Sequence, residues 1–170
     1  MQIRTTPEDH RIAWLTALAI CIHILESAIP SPLPGLKPGL ANVITIAVLL
    51  QYGWHSAAWV SLLRVVCGSL LLGTFLSPTF ILSMGGAVCS VSVLWFACRL
   101  PGKGFGAIGY GVLAALAHMS GQFILAWLVF IPHAAIWHLF PVLLSAALLF
   151  GIASGIIART MCSEDAPCKA

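Results

Sequence analysis

The chain has 170 residues, of which 60% are hydrophobic and 8% are charged, and its mean hydropathy is +1.02. A soluble domain carries about 25% charged residues, so this composition excludes a soluble protein and predicts a single domain embedded in a lipid bilayer. The formal net charge of +3 is too small and too scattered to indicate a nucleic-acid partner or a polybasic lipid-binding patch.

Charges, prolines and glycines divide the apolar sequence into six stretches that we predict to be transmembrane helices. Their predicted bounds are 12–29, 39–52, 55–76, 79–98, 105–130 and 135–158, followed by a polar tail at 159–170. The predicted fold class is therefore all-α, an integral membrane bundle of six helices.

The even number of helices places both termini on one side of the membrane, together with the connection between the fourth and fifth helices. Six cationic residues share that side: Arg4, Arg11, Arg99, Lys103, Arg159 and Lys169. Lys37 alone lies on the other side. The positive-inside rule therefore predicts that both termini are cytoplasmic.

The second predicted helix is short, and the sequence before it is rigid. The fourteen residues 39–52 span about 21 Å, whereas the hydrocarbon core is about 30 Å thick. Residues 26–42 read ESAIPSPLPGLKPGLAN, and this proline-rich loop must dip inward to reach the helix. Irregular backbone at that depth is tolerated where it is buried in protein or lines a polar cavity. We predict the lid or wall of an outward-facing pocket, with a purely structural re-entrant turn as the alternative.

Glu26 lies near the outer end of the first helix, one turn after His23 and on the same face. Ionisable residues inside a membrane are costly and indicate a functional site. Glu26 either serves such a site or pairs with Lys37 or Arg64 to hold the loop in place.

Lys37 closely precedes the second helix, and Asn42 lies one turn into it. The N–H groups and the positive dipole end of that helix face the same region, which favours an anionic group such as a substrate carboxylate or phosphate. The alternative is a helix cap in which Lys37 pairs with Glu26.

Three further polar residues lie deep in predicted helices. Arg64 is near the middle of the third helix and requires a partner, which either a structural tie or a ligand would provide. His118 and Gln122 form an i, i+4 pair on one face of the fifth helix. This pair either lines a cavity or makes a hydrogen bond between helices.

The sequence contains no recognisable catalytic or cofactor motif. Asp9 and Asp165 are its only aspartates, so no Asp-rich motif exists to hold Mg²⁺ and a diphosphate, and there is no P-loop for ATP. A metal site from His23, Glu26 and His118 is conceivable by ligand type, but no metal-binding spacing supports it. We predict a protein that is not an enzyme and that holds neither a metal nor a cofactor.

The six cysteines are predicted to be packing residues and free thiols. Cys21, Cys67, Cys89 and Cys98 lie inside apolar runs, and the other two lie in the polar tail.

Ala13 and Ala17 form a small-xxx-small pair near the start of the first helix, which would let another helix backbone approach closely. Because alanine is common, chance is the alternative explanation.

Three segments carry a family resemblance: ESAIPSPLPGLKPGLANVITI, SLLRVVCGSLLLGTFLSPTFILSMGGAVCS and AHMSGQFILA. In this order they resemble the Gx transporter family, also called heptaprenyl diphosphate synthase component I, over about residues 12–158. This family in turn resembles the substrate-binding S components of energy-coupling factor (ECF) transporters.

The resemblance implies a six-helix bundle in the cytoplasmic membrane of a bacterium, with a first external loop that covers a small-molecule substrate. It also implies that Ala13 and Ala17 dock a transmembrane coupling subunit, while cytoplasmic ATPase subunits supply the energy. The residues we assign to the substrate cavity are Glu26, Lys37, Asn42, Arg64, His118 and Gln122.

The leading hypothesis is therefore a substrate-capturing subunit of an uptake system. One alternative is a noncatalytic membrane subunit of heptaprenyl diphosphate synthase. Another is a stand-alone ion-coupled carrier, against which stand the small size of the chain and the lack of a visible inverted repeat.

Overall fold

The computed structural model describes residues 7–27, 42–100 and 105–162, except for the side chains of residues 8, 26 and 27. All regular structure in these ranges is helical. The main helices are α1 (Pro7–Ser27), α2 (Asn42–Tyr52), α3 (Trp54–Leu71), α4 (Pro78–Arg99), α5 (Ala107–Leu125) and α6 (Phe140–Met161). A π-helical turn, Ala126–Phe130, extends α5, and a 3-10 turn, Ala134–His138, precedes α6.

Four helical segments are long and apolar enough to cross a bilayer. They are Trp54–Leu71, Pro78–Arg99, Ala107–Phe130 and Phe140–Met161. The protein is therefore an all-helical membrane protein, which confirms the predicted fold class at that level. The count of six spans and the orientation of the termini remain predictions.

Several helices begin or end away from their predicted bounds, for local reasons. The first begins at Pro7 instead of residue 12, because proline suits the first turn of a helix. The third ends at Leu71 instead of residue 76, because Gly73 (φ +66°) and Leu76 (φ +61°) adopt left-handed backbone that cannot continue it. Ser77 then caps α4 by accepting a hydrogen bond from the Phe80 N–H at 3.3 Å.

The connection between α5 and α6 also differs from the prediction of helices at 105–130 and 135–158. The α-helical part of α5 covers 107–125, and α6 begins at Phe140. Aromatic packing holds the two turns between them. The Phe123 and Phe140 rings lie 4.6 Å apart, and those of Trp127 and Trp137 lie 5.5 Å apart. Tryptophans in this position suit the membrane–water interface.

The helices alternate in direction, which gives the bundle two distinct ends. At the tail end, defined as the end where α6 finishes, the Gln51 side chain donates to the Met161 carbonyl at 3.4 Å. The Arg11 guanidinium lies 6.0 Å from the centre of the Tyr52 ring at this same end. The start of α1 and the ends of α2 and α6 therefore meet. The opposite end, where α2 begins at Asn42, is the loop end.

Helix α2 is the centre of the bundle. Every residue from Asn42 to Leu50 is buried, and α1, α3, α5 and α6 all contact this helix. Towards the tail end α2 packs in a continuous apolar core with residues such as Val60, Leu94 and Tyr110. Its 11 residues span about 16 Å, so α2 covers only about half of the hydrocarbon thickness.

Glycines bring the backbones of α5 and α6 into direct contact. A Cβ atom on Gly155 would lie 2.9 Å from the Ala107 carbonyl oxygen, and one on Gly151 would lie 2.9 Å from the Val112 Cα. Small residues at helix contacts are a main means of association between helices in lipid. The α5–α6 pair is therefore tightly fixed.

Among the cysteines that the structure describes, one differs from the prediction. Cys21, Cys67, Cys89 and Cys162 are free thiols, but Cys98 is disulfide-bonded. The prediction is therefore wrong for Cys98. This residue lies in the last turn of α4, where a sulfur atom at a helix end can meet a second thiol even though the sequence around it is apolar.

The glycine contact predicts the effect of a small substitution. Gly155→Ser should lower the free energy of unfolding in detergent by about 1–3 kcal/mol, because the added Cβ overlaps the α5 backbone. The matched control is Gly106→Ser, since a Cβ at Gly106 meets no atom within 4 Å, and its change should stay within about 0.5 kcal/mol. Equal effects of the two substitutions in thermal or chemical denaturation would show that the α5–α6 contact is loose.

Candidate functional site

Buried polar side chains collect in the loop-end half and the middle of the bundle. Those contributed by α2 to α5 are Asn42, Thr45, Ser61, Arg64, Ser69, Ser83, Ser90, His118 and Gln122. Polar groups inside a membrane protein are costly unless they are paired or line a polar cavity. This region is therefore the candidate functional site.

Asn42 and Arg64 form the first pair of this site. The Arg64 Nη2 donates to the Asn42 Oδ1 at 3.1 Å, and the two residues are 2% and 0% exposed, respectively. Asn42 is the first residue of α2, and Arg64 lies in the second half of the antiparallel α3. The guanidinium stays charged at every physiological pH, so the interior at the loop end contains a permanent positive charge beside the positive end of the α2 dipole.

His23 of α1 joins this pair from the side. Its imidazole is buried and packs on Gly68, where an added Cβ would lie 2.8 Å from the His23 Cδ2. Gly68 is one helical turn after Arg64 on α3, so His23 and Arg64 approach the same face of that helix. The lack of a side chain at Gly68 makes room for the ring.

His118 and Gln122 of α5 form the second pair. The Gln122 Nε2 and the His118 Nε2 are 2.9 Å apart, and both side chains are buried. The imidazole tautomer decides which of the two side chains donates in this hydrogen bond. Both residues rest on Gly86 of α4, where a Cβ would lie 2.8 Å from the Gln122 Cγ and 3.0 Å from the His118 Cε1.

Two of the six predicted cavity residues cannot be placed. Glu26 lies in the last turn of α1, but its side chain is outside the described part of the structure, and Lys37 falls in the undescribed residues 28–41. The proposed roles of Glu26 and Lys37 remain predictions. The structure joins Asn42 to Arg64 and His118 to Gln122.

Thr45 and Ser61 were missed by the sequence analysis. Both are 0% exposed, and neither hydroxyl has a hydrogen-bond partner among the described residues. The signal was present in the spacing, since Thr45 follows Asn42 by three residues and Ser61 precedes Arg64 by three. Single hydroxyl residues are common in apolar helices, so the pattern becomes visible only when α2 and α3 are known to be antiparallel neighbours.

The predicted docking residues line a groove on the outside of the bundle. A cavity of about 510 Å³ lies between α1 and α3, and Ala13 and Ala17 form part of its wall. Trp59, Leu63 and Cys67 supply the α3 wall, which the sequence did not indicate. The small side chains of the two alanines leave the groove open.

Nothing in the described ranges suggests a metal centre. Within residues 7–27, 42–100 and 105–162, no three His, Cys, Asp or Glu side chains with described positions come close enough together to hold a metal ion.

Comparison with known families decides the affiliation of the chain. The sequence model described as heptaprenyl diphosphate synthase component I matches residues 15–161. The protein belongs to the heptaprenyl diphosphate synthase component I family. The match spans most of α1 and all of α2 to α6, so it includes every described residue of the two pairs in this component I chain. No curated protein and no solved structure matches the sequence.

The second pair leads to a prediction about coupling. In a double-mutant cycle of His118→Leu and Gln122→Leu, the coupling energy from denaturation in detergent should be about 0.6 kcal/mol, the mean for hydrogen bonds inside a membrane protein, and at most about 1.7 kcal/mol. Additive effects, with no coupling, would show that the 2.9 Å contact does not stabilise this component I protein.

Proposed function

We propose that this protein is the substrate-binding membrane subunit, similar to an ECF S component, of an ATP-driven transporter that takes up a small molecule. The buried charge and amide of Arg64 and Asn42 carry this proposal. A bundle that only anchors other proteins has no need for such groups in its interior, where each is costly. A ligand-binding subunit does need them, because a few placed polar groups in an apolar pocket orient a ligand.

The proposed topology is six spans with both termini in the cytoplasm of a bacterium. Arg11, Arg99 and Arg159 all belong to helix turns near the tail end, as the positive-inside rule requires of the cytoplasmic side. The loop end then faces the exterior, and the polar pairs lie on the side from which a substrate enters. The disulfide at Cys98 stands against this orientation, because disulfides are rare in the cytosol.

The proposed partner is a transmembrane coupling subunit that docks at the α1–α3 groove. Ala13 and Ala17 are exposed and leave space for a partner helix between α1 and α3. Since the sequence contains no P-loop, the energy would come from separate ATPase subunits.

A second function is favoured by the family description itself. A component of heptaprenyl diphosphate synthase would be a noncatalytic membrane subunit here, because the chain lacks an Asp-rich motif for a diphosphate. This second function would be favoured if a soluble Asp-rich subunit co-purified with this chain and if synthase activity depended on the chain. A stand-alone carrier would instead support uptake into liposomes that contain no ATPase subunits.

The groove gives a direct test of docking. Ala17→Trp should fill the groove and abolish association with the coupling subunit in co-purification, while the unfolding midpoint changes little because Ala17 is exposed. Leu18→Trp is the control, since Leu18 is 45% exposed on the same helix but does not line the groove. Retained association of Ala17→Trp would place the docking surface elsewhere.

The site gives a test of substrate binding. Small molecules released from purified protein would be identified and quantified by mass spectrometry. Arg64→Gln should lower their occupancy about tenfold or more, because a charged hydrogen bond is lost. The control is Arg99→Gln at the tail end, which should leave the occupancy unchanged. Unchanged occupancy with a lower unfolding midpoint in Arg64→Gln would show that Arg64 only supports the scaffold.

A further inference from the structure

Three buried polar groups around the Asn42–Arg64 pair have no hydrogen-bond partner among the described residues. They are the Asn42 Nδ2, the Thr45 Oγ1 and the Ser61 Oγ, and each of these residues is 0% exposed. A buried polar group without a partner costs free energy, and in lipid there is no bulk water to satisfy it. Three such groups in one place indicate that something else bonds to them.

The helix geometry brings these groups into one layer. Asn42 and Thr45 are three residues apart on α2, and Ser61 and Arg64 are three residues apart on α3, so each pair shares a face. The bond between Asn42 and Arg64 fixes the register of the two antiparallel helices. One turn towards the tail end from that bond, Thr45 and Ser61 therefore lie at the same level.

The layer offers mainly donors. The Asn42 oxygen already accepts from Arg64, so the remaining amide NH₂ can only donate. The two hydroxyls each have a proton to donate, and the guanidinium and the start of α2 add positive charge and dipole. A cation would be repelled here, whereas an oxygen anion would accept bonds from several donors at once.

We propose that this layer binds the anionic group, a carboxylate or a phosphate, of the transported molecule, and that Thr45 and Ser61 are binding residues that select it. The inference rests on the proposed function, because it assigns the chemical class of the cargo. Leu49, one turn beyond Thr45 on α2, belongs to the apolar core and closes the layer towards the tail end.

The test uses inorganic phosphate and acetate as probes, with chloride at equal ionic strength as the reference. In wild-type protein purified in dodecyl maltoside, at least one probe should raise the thermal unfolding midpoint above the chloride value. Thr45→Val and Ser61→Ala should each weaken the apparent affinity for that probe about tenfold. Their midpoints in chloride should not fall, because neither hydroxyl bonds to a described residue.

Two further variants sharpen the comparison. Asn42→Asp keeps an acceptor for Arg64 but replaces the NH₂ donor with a negative charge, so it should fold and lose the response to both probes. The control is Ser154→Ala on α6, which also removes a buried hydroxyl without a described partner. Its unfolding midpoint should respond to the probes as that of the wild type does. Equal responses in all variants, or no response in the wild type, would overturn the inference.

A separate experiment distinguishes a lipid headgroup from a soluble anion. The thermal unfolding midpoint of the protein is compared in nanodiscs of phosphatidylglycerol and of phosphatidylcholine. A higher midpoint in phosphatidylglycerol, with loss of the response to phosphate, would show that the anion is a lipid headgroup and would overturn the cargo assignment. A small carboxylate or phosphate compound released from the purified protein would support it.

The inference and the proposed function can fail separately. Release of an uncharged or cationic small molecule whose occupancy depends on Arg64 would overturn the inference and leave the proposed function standing. Anion binding by the layer, without uptake when the coupling and ATPase subunits are present, would overturn the proposed function alone.

Discussion

The described part of α2 has 11 residues, too few to cross a bilayer, and its first residue, Asn42, is buried beside Arg64 at the loop end of the bundle. Asn42, the first described residue of α2, is buried instead of meeting water. A full-length helix would place its first turn at the membrane surface, where a hydrogen bond to Arg64 would have little structural or functional value. The short helix therefore produces a polar interior on one side of an apolar core.

The two halves of the bundle are built differently. On one side, glycines fix α5 to α6, and Gly86 and Gly121 bring α4 close to α5. On the other side, α1 packs on α3 and α2 and leaves an open groove beside Ala13 and Ala17. A rigid wall next to a less embedded first helix fits the proposal that a partner docks at the groove and not at the proposed anion-binding layer.

The sequence predicted the features that depend on composition and on single residues. Hydropathy was sufficient for the all-helical membrane class, and the charge of Arg64 marked it as a residue that needs a partner. The short second helix was visible because prolines and glycines precede it. Features that depend on contacts between helices could not be predicted from the sequence. The bond from Arg64 to Asn42 was one of several open pairings, and Thr45 and Ser61 gained meaning only from the antiparallel register of α2 and α3. The end of α3 at Leu71 was available from Gly73, a residue type that favours left-handed backbone after a helix, whereas the left-handed backbone at Leu76 is not indicated by a leucine.

The central proposal, a polar anion-binding layer beside Asn42 that a substrate reaches from the exterior, is tested most directly by side-specific labelling of an introduced cysteine. Thr45→Cys and Leu49→Cys would be treated in intact cells with the membrane-impermeant sulfonatoethyl methanethiosulfonate. Mass spectrometry of the α2 peptide, which contains no native cysteine, would then measure modification at each position. The account predicts modification of Cys at position 45 from outside and none at position 49. An unmodified position 45, or modification only after the cytoplasmic side is exposed, would contradict it.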